Sequence, residues 1–304
     1  MLRSFGMELV LGVDAGGTGT RAVLARPSGI VGRGRAGPGN PISAGPAAIE
    51  AIASAIRQAL GHRPPASVRA AALGLSGTSA LDDPAVHERF RRMWTGLGLT
   101  CPMTVVGDVV TAFAAGTTAP SGAVLIAGTG ATAARIDRYV ITKTADGLGW
   151  LLGDEGSGRW LGLRAVRSAA RRFDTPLAAR VAAHAGVTSG DELVRWAQSL
   201  PLDAIAALAP VVCTAARGGD PDAAAIVADG VRRLTRTLDS LGSPGPVVLA
   251  GSLLTSDTPV RDGLLGILRP RGTEVTLAGD PAEAAARLAT LDGMSELGYP
   301  HLHM

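Results

Sequence analysis

Aromatic residues are scarce in this chain, at 3% of 304 residues. A core must therefore be built from Ala, Val, Leu and Ile, and a nucleic-acid surface that stacks bases on aromatic rings has little material. Cysteine is almost absent: Cys101 and Cys213 are far apart and neither sits in a C-x-x-C pair. That excludes a disulfide framework and a cysteine-rich zinc or iron–sulfur site, and it fits a reducing cytoplasm. Lysine is reduced to Lys143 alone, so the sequence pI of about 9.4 is carried by arginine. The net charge is only +3 and the arginines are scattered, which speaks against a nucleic-acid footprint. No apolar run reaches the length of a membrane span, so no membrane partner is expected. The N-terminus enters a strand without a signal-peptide pattern, with Met1 and Met7 both available as start residues.

What the chain has in quantity is hydrophobic residues, at 46%, and 41 glycines. "MELVLGVD" and "TRAVLARPSGIVGRGRAGPGN" read as strands joined by tight turns. "GPAAIEAIASAIRQALG" has apolar residues at helical spacing, "VRAAALGLSGT" is a buried strand ending in a small-residue turn, and "PMTVVGD" is a strand running into a helix. After Pro120 the theme restarts with "SGAVLIAGTGATAARID", an apolar strand, a Gly-Thr-Gly turn and a second strand. Helices follow, then "GPVVLAGSLL", a buried strand entering a Gly-Ser turn, and a last strand and helix in "TEVTLAG" and "DPAEAAARLATL". The repetition predicts two α/β domains of related design with mixed sheets, divided as 1–118 and 119–304, with ligands bound in the cleft between them.

The stretch "LGVDAGGTGTRAVLA" fails two phosphate-binding patterns. It has no lysine after its glycines, as a P-loop requires, and "TRAVLA" alternates like a strand where a dinucleotide fingerprint needs a helix. A hairpin of Gly16, Gly17, Thr18, Gly19 and Thr20 can still approach phosphate closely with backbone N–H groups and threonine hydroxyls, or it is a plain glycine-rich turn. Asp14 at the strand end would repel phosphate unless a cation lay between them, which suits an outer-shell partner of Mg²⁺. A second hairpin, Gly128-Thr129-Gly130, and the turn Gly251-Ser252 suggest that a polyphosphate is gripped from two sides.

"GVDAGGTGTRAVL", "GLSGT", "VVGDVVTAF", "LIAGTGATAARI", "GLGWLLGDEGSGRWLG" and "VVLAGS", in that order, resemble the N-acetylglucosamine kinase group, also described as the BadF/BadG/BcrA/BcrD ATPase family, of the sugar kinase/Hsp70/actin superfamily. The resemblance covers essentially the whole chain. It implies two ribonuclease H-like, actin-like ATPase domains flanking a cleft, ATP and Mg²⁺ as cofactors, a small-molecule sugar as substrate, a homodimer and a cytoplasmic location. It implies phosphorylation of an amino sugar, N-acetylglucosamine to its 6-phosphate first, with glucosamine and other hexoses as alternatives.

By position alone Asp108 reads equally as a helix N-cap or as a general base at a crevice; the resemblance makes it the base. The resemblance also assigns Asp154 to sugar hydroxyls, where the residue pattern reads a turn carboxylate capping the next helix. Asn40, Ser76, Gly77 and Thr129 are simple turn residues that the resemblance places at the sugar or phosphate, and Gly251 and Ser252 go to the adenosine side. Trp150 packs near the substrate or in the core. Two other function classes lack their material here. An ATPase activator of a dehydratase or reductase needs clustered cysteines, and a sugar-sensing repressor needs a DNA-binding helix-turn-helix; the chain offers neither. His301 and His303 are two ligands on a tail, too few for a metal site.

Overall fold

The computed structural model of the protein describes residues 9–199, 202–242, 245–291 and 301–302. It divides into two compact units, Met1–Thr118 with Gly279–Met304, and Ala119–Ala278.

The first unit is built on β1 (Leu9–Ala15), β2 (Thr20–Arg26), β3 (Gly29–Ala36), β4 (Val68–Leu75) and β5 (Met103–Gly107). β1, β2 and β3 form an antiparallel meander, and β4 and β5 add to β1 in parallel. A two-residue strand, His301–Leu302, pairs antiparallel with β5, so this part of the expected tail joins the sheet; His303 lies outside the described residues. The burial of the strands follows their place. β4 is buried along most of its length, as a central parallel strand must be, whereas the edge strand β3 is mostly exposed or half-buried. Leu9, Leu11, Val13 and Ala15 alternate onto the face covered by helix Pro46–Leu60, which contributes Ile52, Ile56 and Leu60 to the same core.

The opposite face of β1 carries Gly12. A Cβ there would lie 2.1 Å from the Ala282 carbonyl oxygen and 2.2 Å from the Ala286 nitrogen. Only glycine lets helix Pro281–Leu288 lie on the strand this closely, and the helix meets it with alanines. This packing corrects the expected boundary: the second unit ends where Ala278 N–H donates to the Leu249 carbonyl at 2.8 Å, and the next residue, Gly279, donates to the Ala115 carbonyl of the first unit at 2.9 Å. The final helix therefore belongs to the first unit, because its small-residue face fits Gly12.

The second unit repeats the plan with β6 (Gly122–Ala127), β7 (Ala131–Asp137), β8 (Val140–Asp146), β9 (Val247–Ala250) and β10 (Val275–Leu277). Its order is β10-β9-β6-β7-β8: again an antiparallel meander extended by two parallel strands. Helices Gly158–Arg171, Ala209–Arg217, Pro221–Asp239 and Pro259–Leu268 supply its core through Leu161, Val212, Leu234 and Leu264. Among the described residues no helix is long and apolar enough to cross a membrane.

Substituting Gly12→Ala should lower stability by about 3 kcal/mol, the upper end of overpacking penalties, because the clash is with helix backbone that cannot rotate away. Gly17→Ala, where an added Cβ meets nothing within 4 Å, should leave the urea midpoint followed by circular dichroism nearly unchanged.

Candidate functional site

In the first unit the strand ends gather the predicted residues. Asp14 is near the end of β1 and the β1–β2 turn closes with Gly16 N–H donating to the Gly19 carbonyl at 3.0 Å. Gly39 N–H donates back to the Gly16 carbonyl at 2.9 Å. Gly17 and Thr18 are exposed at the tip. Thr20 is buried and its hydroxyl donates to the Gly37 carbonyl at 2.9 Å, so it braces the turn. Ser76 and Gly77 follow β4, and Ser76 N–H donates to the Ala15 carbonyl at 2.9 Å, tying the two strand ends together.

Asn40 caps the short helix Pro41–Ala44, its Oδ1 accepting from Ile42 N–H at 2.8 Å, while its Nδ2 donates to the Ser76 hydroxyl oxygen at 3.3 Å. Gly77 has φ +74°. A Cβ there would lie 2.7 Å from Asn40 Oδ1, so the left-handed turn and the approach of Asn40 both require glycine. Asp108 is the first residue of helix Asp108–Ala114, directly after β5. It is not the N-cap, which is Gly107, and the Ser76 hydroxyl lies close enough to lower its carboxyl. Asn40, Ser76 and Asp108 thus form one connected polar set.

Sequence reasoning missed the link from Asp108 to Asp14. The Thr111 side chain is fully buried, its hydroxyl 2.8 Å from the Asp108 carbonyl and 3.4 Å from Asp14 Oδ1. Its spacing three residues after Asp108 was the available signal, since a helical threonine reaches back one turn. Burial pushes the Asp14 carboxyl up to about 7, and the negative charge of Asp108 adds to the effect; Arg21 and the Thr111 hydroxyl pull the other way. Burial likewise raises Asp108, opposed by the neighbouring Ser76 hydroxyl.

In the second unit the Gly128-Thr129-Gly130 turn joins β6 to β7 and closes with Gly128 N–H donating to the Gly130 carbonyl at 2.9 Å. Gly158 and Arg159, at the start of helix Gly158–Arg171, donate their N–H groups to the carbonyls of Gly128 and Thr129 at 2.7 and 3.2 Å. Gly251 and Ser252 link β9 to the short helix Ser252–Thr255. This turn and the Gly128–Gly130 turn are brought to one cavity of about 380 Å³, lined also by Pro210, Cys213 and Thr214 from helix Ala209–Arg217. Its size is in the range of about 300–1,000 Å³ usual for small-molecule sites. The wall supplied by Pro210, Cys213 and Thr214 was missed, because nothing in a helical sequence says which face meets a distant turn.

Asp154 is 7% exposed. Its Oδ1 accepts from Ala131 N–H at 3.1 Å and its Oδ2 pairs with Arg159 at 3.5 Å. It does not cap the following helix; Ser157 does, accepting from Trp160 N–H at 3.1 Å. Burial raises the Asp154 carboxyl while Ala131 N–H and Arg159 lower it. Trp150 is 42% exposed, so it is not a core residue. Among the described residues no group of three or more His, Cys, Asp or Glu is placed to hold a metal ion.

The sequence model of the BadF/BadG/BcrA/BcrD ATPase family matches residues 11–264. The chain belongs to this family. In this BadF/BadG/BcrA/BcrD ATPase the matched span contains every predicted site residue, from Asp14 to Ser252. A curated relative, the N-acetylmuramic acid/N-acetylglucosamine kinase of Clostridium acetobutylicum, is 30% identical over 102 residues. That match spans 34% of this chain and 32% of the relative, so the chain covers about a third of the relative's length. A solved structure from Chromobacterium violaceum, provisionally named an N-acetylglucosamine kinase, is similar over 93% of this chain and 99% of its own, with a TM-score of 0.75 and 26% identity. A glucokinase of the ROK family from Streptomyces griseus, solved with glucose and AMPPNP, shares the fold over 92% of this chain and 99% of its own, at a TM-score of 0.62 and 19% identity.

A carboxyl raised by its surroundings makes the folded state hold a proton that the unfolded chain has lost. Asp14 therefore destabilises the fold increasingly as pH rises from about 4 to about 7, by at most about 4 kcal/mol for its shift from 3.8 to about 7. Asp14→Asn should be more stable than wild type at pH 8, and the difference should fade towards pH 4, when urea unfolding is measured at both pH values without divalent cations.

Proposed function

We propose that this chain transfers the γ-phosphoryl group of ATP to a sugar hydroxyl, with an amino sugar as acceptor and the 6-hydroxyl of N-acetylglucosamine first among the candidates. The observation that carries this reading is the Asn40–Ser76–Asp108 set: a buried carboxyl directly after a parallel strand, lowered by the neighbouring Ser76 hydroxyl, which Asn40 Nδ2 contacts at 3.3 Å. Membership of an ATPase family and the kinase names of the relatives support it.

In this reading Asp108 takes the proton from the attacking hydroxyl as general base. Its raised carboxyl suits that work, because a base titrating nearer neutrality accepts a proton with more driving force. In the first unit Asn40, Ser76 and Gly77 are assigned to the sugar; in the second, Asp154, Thr129 and Trp150 are assigned to it. For the nucleotide, the first unit offers the Gly16–Thr20 turn, and the second offers the Gly128–Gly130 turn with Gly251 and Ser252. Gly16 and Gly128 already use their N–H groups to close their turns, so phosphate contacts fall to the remaining donors. The residues present fit a divalent cation: the charge of Asp108 helps to hold the Asp14 carboxyl up, and a cation on the phosphates would relieve this. When bound, Mg²⁺ would neutralise charge on the transferring phosphoryl group, with Asp14 as its partner. The reading also carries a homodimer.

ADP release with Mg²⁺–ATP should be strong with one member of a panel of N-acetylglucosamine, glucosamine, N-acetylmannosamine and glucose, and weak without sugar. Release without any sugar, or none with all of them, would overturn the reading. Asp108→Asn should lower kcat by about 10²- to 10⁴-fold, the usual contribution of a general base, while ATP affinity stays within about twofold. Near-wild-type turnover would remove Asp108 from that role.

A further inference from the structure

Asp146, the last residue of β8, has a role that no motif assigned to it. Its two carboxylate oxygens accept from two successive backbone N–H groups, Oδ1 from Asp154 at 2.7 Å and Oδ2 from Glu155 at 2.9 Å. The intervening residues form a loop whose two ends this side chain ties together, beside the Gly147 N–H bond to the Ala131 carbonyl at 3.1 Å. Gly153 lies against the clasp: a Cβ there would sit 2.1 Å from Asp146 Oδ1, so a larger residue would push the carboxylate off its donors. Asp146 and Asp154 both have positive φ, +61° and +56°. A non-glycine residue keeps that sparsely populated conformation only where the surroundings fix it. The clasp is what fixes it. Once Asp154 is held in this conformation, its own carboxylate reaches Ala131 N–H at 3.1 Å, directly after the Gly128-Thr129-Gly130 turn, and Arg159 at 3.5 Å. Between the clasped ends the loop carries Leu148, Trp150, Leu151 and Leu152 outward, from 42% to 76% exposed. No core packing from these side chains orders the loop, which is held by its base and by one internal turn, where Gly153 N–H donates to the Gly149 carbonyl at 2.7 Å.

We propose that Asp146 is the positioning residue of the acceptor side of the site, clasping the backbone of Asp154 and Glu155 so that the Asp154 carboxylate is held where the sugar is read. The part concerning sugar rests on the function proposed above; the clasp does not.

Two variants separate the carboxylate from backbone strain. Asp146→Gly adopts positive φ freely but has no acceptor, and Asp146→Asn tolerates positive φ and keeps one acceptor oxygen. With retained folding checked by circular dichroism, Asp146→Gly should raise the KM for sugar by about tenfold or more and leave the KM for ATP within about twofold, with Asp146→Asn intermediate. Chymotrypsin should cut Asp146→Gly within Leu148–Leu152 about tenfold faster than wild type, because local opening controls cleavage. An unchanged sugar KM, or sugar and ATP KM values rising together, overturns the positioning role. If the wild-type protein transfers phosphate to no sugar, the proposed function falls while the clasp is still judged: faster cleavage of Asp146→Gly sustains it, and an unchanged cutting rate overturns it.

Discussion

The first unit depends on how closely a helix can lie on a strand. Helix Pro281–Leu288 rests on β1 at Gly12 with two alanines, Ala282 and Ala286, where any Cβ on the strand would meet helix backbone. Dispersion contacts at this distance are individually small but numerous. They fix β1, and β1 carries Asp14 and the turn that begins at Gly16. They also decide the chain's course, since the last helix leaves the second unit to cover the first. A core with few aromatic rings is compatible with this solution: it achieves density by bringing backbones together rather than by filling wide gaps.

Electrostatics then sets the character of the strand ends. Asp14 lies in β1 and Asp108 directly after β5, with β4 between those strands, yet burial and the charge of Asp108 raise Asp14 far above an ordinary carboxylate. Protein groups relieve this only in part, through Arg21, the Thr111 hydroxyl and Ser76. These two raised acids are the observation on which the proposed base and cation roles rest.

The second unit handles its acids differently. Asp154 is buried but is met by Ala131 N–H and Arg159, and Asp146 is met by two backbone donors. Here carboxylates organise backbone, holding a loop of exposed Leu and Trp side chains at its root. The same residue type therefore does two jobs in the two units, distinguished by the donors each carboxylate finds.

The order of strands and helices, the doubled plan, the glycine turns and the family were all legible in the sequence, because strand alternation, helical spacing and turn residues are local signals. Asp108 at the junction of "MTVVG" with a helix could be placed for the same reason. The sequence could not decide that residues 279–291 return to the first unit, since that depends on a missing side chain at Gly12, far away along the chain. Nor could it join Thr111 to Asp14, bring Pro210 and Ser252 to one cavity, or show that Asp146 holds Asp154. Trp150 could have been core or surface by composition, and only the clasped loop turned it outward. Local chemistry selected the elements; the long-range pairing of small residues and carboxylates with particular backbone groups existed only once the chain had folded.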